Sequence, residues 1–287
     1  MNPFSSRCCQ HNHAQGWPYF TEHLVLATPD NGVATAIYAA CKATVKVGDG
    51  KEITFREETN YPFEEGITFT VSTDEKVAFP FYLRIPSWTQ KAEVRVNGKK
   101  VSAAPVAGKY LCINREWANG DRVELTLPMS LSMRTWQVNK NSVSVDYGPL
   151  TLSLKIAEKY VEKDSRETAI GDSKWQKGAD PRKWPTTEIY PDSPWNYSLV
   201  LDKKEPLKNF KVIRKSWPAD NYPFTVASVP LEVKAIGRPV PEWKIDETGL
   251  CGVLPEEDAV KGDKEEITLI PMGAARLRIS AFPNTKE

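Results

Sequence analysis

The chain is 287 residues long, within the roughly 250 to 300 residues at which single cores stop growing, so two domains are expected. Its 40% hydrophobic and 26% charged residues are those of a globular protein and exclude a disordered chain. With 38 Lys+Arg against 37 Asp+Glu the net charge is +1, too little to gather a polyanion, so no nucleic acid partner is expected.

Taken from its start, "MNPFSSRCC" has neither the apolar core nor the small-residue cleavage site of a signal peptide. No later apolar run approaches the roughly 18 to 20 residues that cross a bilayer. The chain reads as soluble, with no membrane span and no export signal, and its compartment does not follow. The next stretch, "RCCQHNH" from Arg7 to His13, crowds two of the five cysteines and two of the three histidines together. The third histidine is His23. From His13 to Thr28, Trp17, Phe20 and Leu24 fall at i, i+3 and i+7, and Pro18 suits a first turn, so a helix is expected. It could pack on a sheet, or its partners could lie upstream in a longer protein.

From Ala34 onward the pattern alternates at period two, the mark of half-buried strands: "ATAIYAACKATVKV", "GITFTVST", "VAFPFYLRIP", "KYLCIN" and "VSVDYGPLTLSLKI". Gly48-Asp49-Gly50, Asn97-Gly98 and Asn119-Gly120 punctuate it as hairpin turns, because glycine and asparagine tolerate positive φ. Between about Glu158 and Pro194 the period lapses into a linker or irregular connection rich in charge, Pro, Gly and Ser. Alternation resumes in "WNYSLVL", "FKVIRKS", "FTVASVPLEVKAIG" and "EEITLIPMGAARLRISAF". The expected fold is mainly β: a loop and helix over 1–30, a first β-sandwich over 31–157, a connection over 158–194 and a second β-sandwich over 195–287.

Five cysteines, odd and scattered, do not make a disulfide framework. Cys41, Cys112 and Cys251 lie in or beside β-patterned segments and read as small buried hydrophobes. Cys8 and Cys9 lead into the helix, where partial positive charge and unpaired N–H groups favour thiolate. With His11 and His13 they make four candidate zinc ligands by composition, although the usual Cys-x-x-Cys or His-x-x-x-His intervals are absent. Glu57-Glu58, Glu64-Glu65 and Glu256-Glu257-Asp258 read as solvated carboxylates, since strand neighbours point to opposite faces. Trp175, Trp184 and Trp195, in or beside the connection, are candidate sugar-stacking rings.

The run from "CCQHNHAQGWPYF" through "FPFYLRIPSW", "VRVNGK", "YGPLTLSL" and "ITLIPMGAARLRISAF" resembles family 127 of the glycoside hydrolases, the β-L-arabinofuranosidase-like proteins. The resemblance implies an α/α-barrel followed by two β-sandwiches, with residues 1–30 as the last loop and helix of that barrel. It also implies a zinc ion held by a glutamate and three cysteines, of which the adjacent pair matches Cys8 and Cys9. Cys8 would then be both metal ligand and nucleophile in a retaining double displacement, with a glutamate as acid/base. Gln10 and His11 stand where two prolines often follow the cysteine pair, which bears on sugar specificity. No Glu-x-Cys stretch occurs in the chain, and Glu22 matches no family role. The remaining ligands and the acid/base are expected upstream of Met1, which then reads as an internal methionine. On this reading the isolated chain turns over little, and its helix associates through uncovered apolar surface.

Two other readings stay open: a non-catalytic β-sandwich module that binds carbohydrate or protein, and a small independent zinc site on Cys8, Cys9, His11 and His13.

Overall fold

A computed structural model describes residues 8–164, 177–178, 180–256 and 259–287, and the side chains of these except 8–13 and 181. The chain divides into two compact units, Arg7 to Ser130 and Leu131 to Glu287. Both are mainly β, as the alternation predicts.

The first unit opens with helix α1 (Cys8–Glu22), followed by β1 (Val25–Ala27), β2 (Val33–Thr35), β3 (Cys41–Val47), β4 (Lys51–Thr59) and β5 (Gly66–Ser72). After them come β6 (Val77–Arg84), β7 (Glu93–Val96), β8 (Lys99–Lys100), β9 (Tyr110–Trp117) and β10 (Arg122–Thr126). They form two sheets, ordered β1-β2-β6-β9 and β3-β4-β5-β10-β7-β8. Alternate residues of each sheet point inward. Phe79, Phe81 and Leu83 of β6 meet Ile53 and Phe55 of β4 and Phe69 and Val71 of β5 in one core. Phe81 sits at its centre, 4.8 Å from the Phe55 ring and 5.3 Å from the Phe69 ring. Trp117 is fully buried beside it, and its indole N–H donates to the Phe79 carbonyl at 3.0 Å, which satisfies the one polar atom that burial would strand. This unit is a β-sandwich.

Two local expectations change. The helix starts five residues before His13 and ends at Glu22, with Pro18 inside it rather than in its first turn. Val25, Leu26 and Ala27, which continue the apolar spacing, instead pair with Thr35, Ala34 and Val33 as β1. Ladder pairing outweighs weak helical spacing there, and Leu24 is buried beyond the helix end. Asn119-Gly120 does turn, with Gly120 at φ 84, but it joins β9 of one sheet to β10 of the other. Asn97-Gly98, at φ 50 and 77, is the hairpin its sequence announces, between β7 and β8.

The second unit contains β11 (Leu131–Trp136), β12 (Ser142–Tyr147), β13 (Leu150–Leu154), β14 (Glu158–Lys163), β15 (Thr186–Pro191), β16 (Tyr197–Leu201), β17 (Lys211–Arg214), β18 (Leu231–Pro239), β19 (Glu265–Pro271) and β20 (Asn284–Lys286). One sheet runs β11-β12-β13-β19-β18-β16-β20, with β17 also on β18. Phe282 bridges back to Val143 of β12 just before β20 pairs with β16, so the sheet curls toward its own start. Curling explains why every residue of β12 and β16 is buried: both faces are covered. Glu158–Lys163 and Thr186–Pro191, within the segment read as irregular, pair as an antiparallel ribbon. Residues 165–176 and 179, between its strands, lie outside the described residues.

Candidate functional site

Cys8 and Cys9 are the first two residues of the 15-residue α1, so they belong to the first helical turn rather than to a loop ahead of it. That turn carries unpaired N–H groups and the positive end of the helix dipole. In this register Cys8 and His11 stand at i, i+3 and Cys9 and His13 at i, i+4, spacings that share a helix face. His23 lies just past the far end, about 22 Å along the axis from Cys8, which removes it from any shared ligand set. Its Nδ1 lies 2.6 Å from the Tyr19 carbonyl oxygen. The side chains of Cys8, Cys9, His11 and His13 lie outside the described residues. Among those that are described, no group of three or more His, Cys, Asp or Glu residues could hold a metal ion.

Beyond α1, the outer face of the β1-β2-β6-β9 sheet gathers a polar and aromatic set. A hollow of about 530 Å³ is lined by Thr28, Pro29, Asp30, Ala34, Tyr82 and Tyr110. Strand pairing brings the members together: Ala34 opposes Tyr82 across β2 and β6, and Tyr82 opposes Cys112 across β6 and β9. The Asp30 carboxylate accepts the Thr28 hydroxyl on one oxygen and the Tyr82 phenol, at 2.5 Å, on the other. These two donors hold its carboxyl below the usual range. The same bond pushes the Tyr82 phenol upward. Asp30 is therefore a fixed acceptor of hydrogen bonds beside the half-exposed Tyr110 ring, and it is the wrong state for a proton donor.

Glu57 corrects the reading of surface carboxylates. It continues the inward phase of Ile53 and Phe55 and is 2% exposed, while Glu58 faces solvent. Its Oε1 accepts the Ala39 amide at 3.0 Å and the Cys41 thiol lies 3.8 Å from Oε2. Burial pushes its carboxyl up to about 8, against the pull of those two donors. Burial beside this glutamate likewise pushes the Cys41 thiol up to about 11. The signal was in the sequence, as a glutamate at the i+4 position of a core-facing alternation. Glu65 is also engaged, accepting the Met129 amide at 2.9 Å. Glu257 and Asp258 lie outside the described residues.

The other candidates divide. Cys41 is half-buried and Cys112 and Cys251 are exposed, so none is the buried hydrophobe expected; Cys112 projects from the outer face opposite Tyr82. Trp184 is exposed. Trp195 packs edge-on against Trp243 at 5.2 Å, which leaves it partly covered. Trp175 lies outside the described residues.

Residues 32–129 match the family described as β-L-arabinofuranosidase, GH127 middle domain. The match ends at Met129, one residue before the first compact unit ends. A search of curated proteins gave no match. Among solved structures the chain is similar to a GH127 β-L-arabinofuranosidase from Geobacillus stearothermophilus, with 21% identity and a TM-score of 0.64 over 97% of this chain and 37% of that one. A protein described as a glycoside hydrolase is similar at 22% identity and a TM-score of 0.67, over 98% of this chain and 40% of that one. A further GH127 β-arabinofuranosidase matches at 22% identity and a TM-score of 0.63, over 97% of this chain and 38% of that one. The chain spans about two fifths of the length of these structures, and at such identities the likeness is one of fold. Residues 32–129 thus match the GH127 β-L-arabinofuranosidase middle-domain model, and the chain around them shares its fold with solved structures described as GH127 enzymes.

Proposed function

We propose that this chain is part of a retaining glycoside hydrolase that acts on β-L-arabinofuranosides, with Cys8 as its nucleophile. The observation that carries the reading is the family match over residues 32–129. The place of Cys8 in the first turn of α1 supports it, because that position favours the thiolate, the nucleophilic form. In the first step the Cys8 sulfur bonds to the anomeric carbon as the glycosidic bond breaks, and a carboxylic acid protonates the departing oxygen. In the second, the resulting carboxylate takes a proton from water, whose oxygen displaces sulfur and restores the starting configuration. The proton donor comes from outside the described residues. Asp30 is held ionised, and Glu57, although protonated at neutral pH, is sealed beneath Ala39.

Zinc takes four ligands in a closed site. The described residues do not fit one, since no group of three or more donors meets among them. Cys8 and Cys9 stand as the proposed pair of ligands on the resemblance alone, and no step above is routed through the metal.

The test uses the protein expressed from its complete reading frame with 4-nitrophenyl β-L-arabinofuranoside. Release of nitrophenol is expected, with a loss of about a thousandfold or more in Cys8→Ser, since a hydroxyl lacks the ionisation of a thiol. Activity that survives the substitution removes Cys8 from the nucleophile role. The chain alone is expected to release little or none.

A further inference from the structure

The second unit contains a groove that the glycosidase reading does not use. Strand β15, the loop between Ile245 and Cys251 and the segment after β19 line a hollow of about 290 Å³. Its walls are apolar: Tyr190 from β15, Trp195 held edge-on by Trp243, and Ile245 and Leu250 from the loop. The loop is braced from within. Asp246 Oδ1 accepts the Thr248 amide at 2.9 Å, the Thr248 hydroxyl at 2.6 Å and the Leu250 amide at 3.0 Å, so Leu250 is presented by a fixed turn although it is 66% exposed.

The charged residues lining this hollow are Arg276 and Arg278, with no carboxylate among them. One carboxylate, Glu158, lies against Arg276, accepting its amide at 3.1 Å and the Tyr160 hydroxyl at 2.5 Å, and the Arg276 side chain also reaches that hydroxyl. Glu188 is engaged by Tyr190, whose hydroxyl it accepts. Arg278 is anchored by its Nε, which donates to the Ala275 carbonyl at 2.7 Å and leaves the terminal nitrogens of its fork for another acceptor. Neither guanidinium pairs with a carboxylate among the described residues. An apolar trench near the lower end of ordinary ligand-pocket size, with two guanidinium groups and no carboxylate in its lining, is complementary to a small flat molecule with one anionic end. It suits a sugar poorly, since aliphatic side chains line it where hydroxyl partners would be needed.

We propose that this groove binds an aryl carboxylate of about cinnamate size, with the ring between Trp195, Ile245 and Leu250 and the carboxylate on Arg276 and Arg278. A guanidinium meets a carboxylate through paired N–H donors, which sets the preference for that head group.

The test is calorimetric titration of the 287-residue chain with sodium cinnamate and, separately, with cinnamyl alcohol. Saturable binding of cinnamate is expected, with the alcohol at least about tenfold weaker. Arg276→Gln, at an exposed position, should weaken cinnamate about tenfold and leave the alcohol and the urea midpoint unchanged. Leu250→Ser should weaken both, because it removes wall rather than charge. Equal affinity for the two probes, or no saturation by cinnamate up to about 10 mM, a level weaker than any useful site, overturns the proposal. So does an Arg276→Gln variant that binds cinnamate as the parent does.

Discussion

Glu57 shows what one side chain in the wrong phase for its chemistry imposes. In an unfolded chain its carboxyl titrates near 4.5, and in the folded sandwich burial moves that to about 8. Between those values the folded state holds the proton and the unfolded state has lost it. Stability therefore falls as pH rises through this window, and the loss is complete above about 8, by roughly 3 to 5 kcal/mol at most. Glu57→Gln keeps the shape and the acceptor for the Ala39 amide but cannot ionise. Urea melts at pH 5, 6.5 and 8.5 should show the parent losing stability across the series, while the variant is flatter and is the more stable of the two at pH 8.5. Parallel slopes in the two proteins would mean that Glu57 is not the group responsible. The Cys41 thiol, pushed up to about 11 in part by Glu57, stays protonated in the folded state across this series.

Among elements, the β1-β2 hairpin carries Asp30 and shows how tightly the outer face is fixed. Its turn closes through the Thr28 amide on the Gly32 carbonyl at 3.1 Å and the Gly32 amide on the Thr28 hydroxyl at 3.0 Å. A Cβ at position 32 would run into the Pro80 carbonyl oxygen and the Pro80 ring, and a backbone atom in the sheet's middle cannot give way as a side chain tip can. Gly32→Ala should cost about 3 kcal/mol, the upper end for overpacking, measured as a shift in the urea midpoint; a change within about 0.5 kcal/mol would show that the strands part easily. The same hairpin marks the limit of reading by pattern. Alternation announced the strands from "GITFTVST" to "EEITLIP", because period two is a local property of half-buried ladders. Which strands pair is not local. Val25 to Ala27 carried helical spacing yet found a ladder partner, and Asn119-Gly120 carried a hairpin's residues yet passes between sheets. At the site, the cysteine pair stood out by composition. The Asp30-Tyr82 bond did not, since it joins residues from β-strand neighbours that only the parallel β2-β6 pairing brings together.

For the molecule as a whole, the charge balance and one bare surface combine. Formal charge is +1 and the isoelectric point about 7.6, so near neutral pH little electrostatic repulsion keeps copies apart. On α1 every residue from Ala14 to Glu22 is exposed. Trp17 is 64% exposed and touches Phe20 edge-on at 6.4 Å, and Tyr19 beside them is also 64% exposed. Each such side chain gains about 1.5 to 3 kcal/mol when it is fully covered, so together they favour any contact that hides them. The chain at high concentration and pH 7.5 should therefore self-associate, with a weight-average mass in sedimentation that rises with loading. At pH 5.5 or 9.5 net charge returns and the rise should shrink. Trp17→Ser with Phe20→Ser should abolish it at every pH while leaving the sandwich melt unchanged, since neither side chain enters the buried core. Association undiminished in the double variant would move the sticky surface elsewhere, and association that ignores pH would show that charge balance plays no part in it.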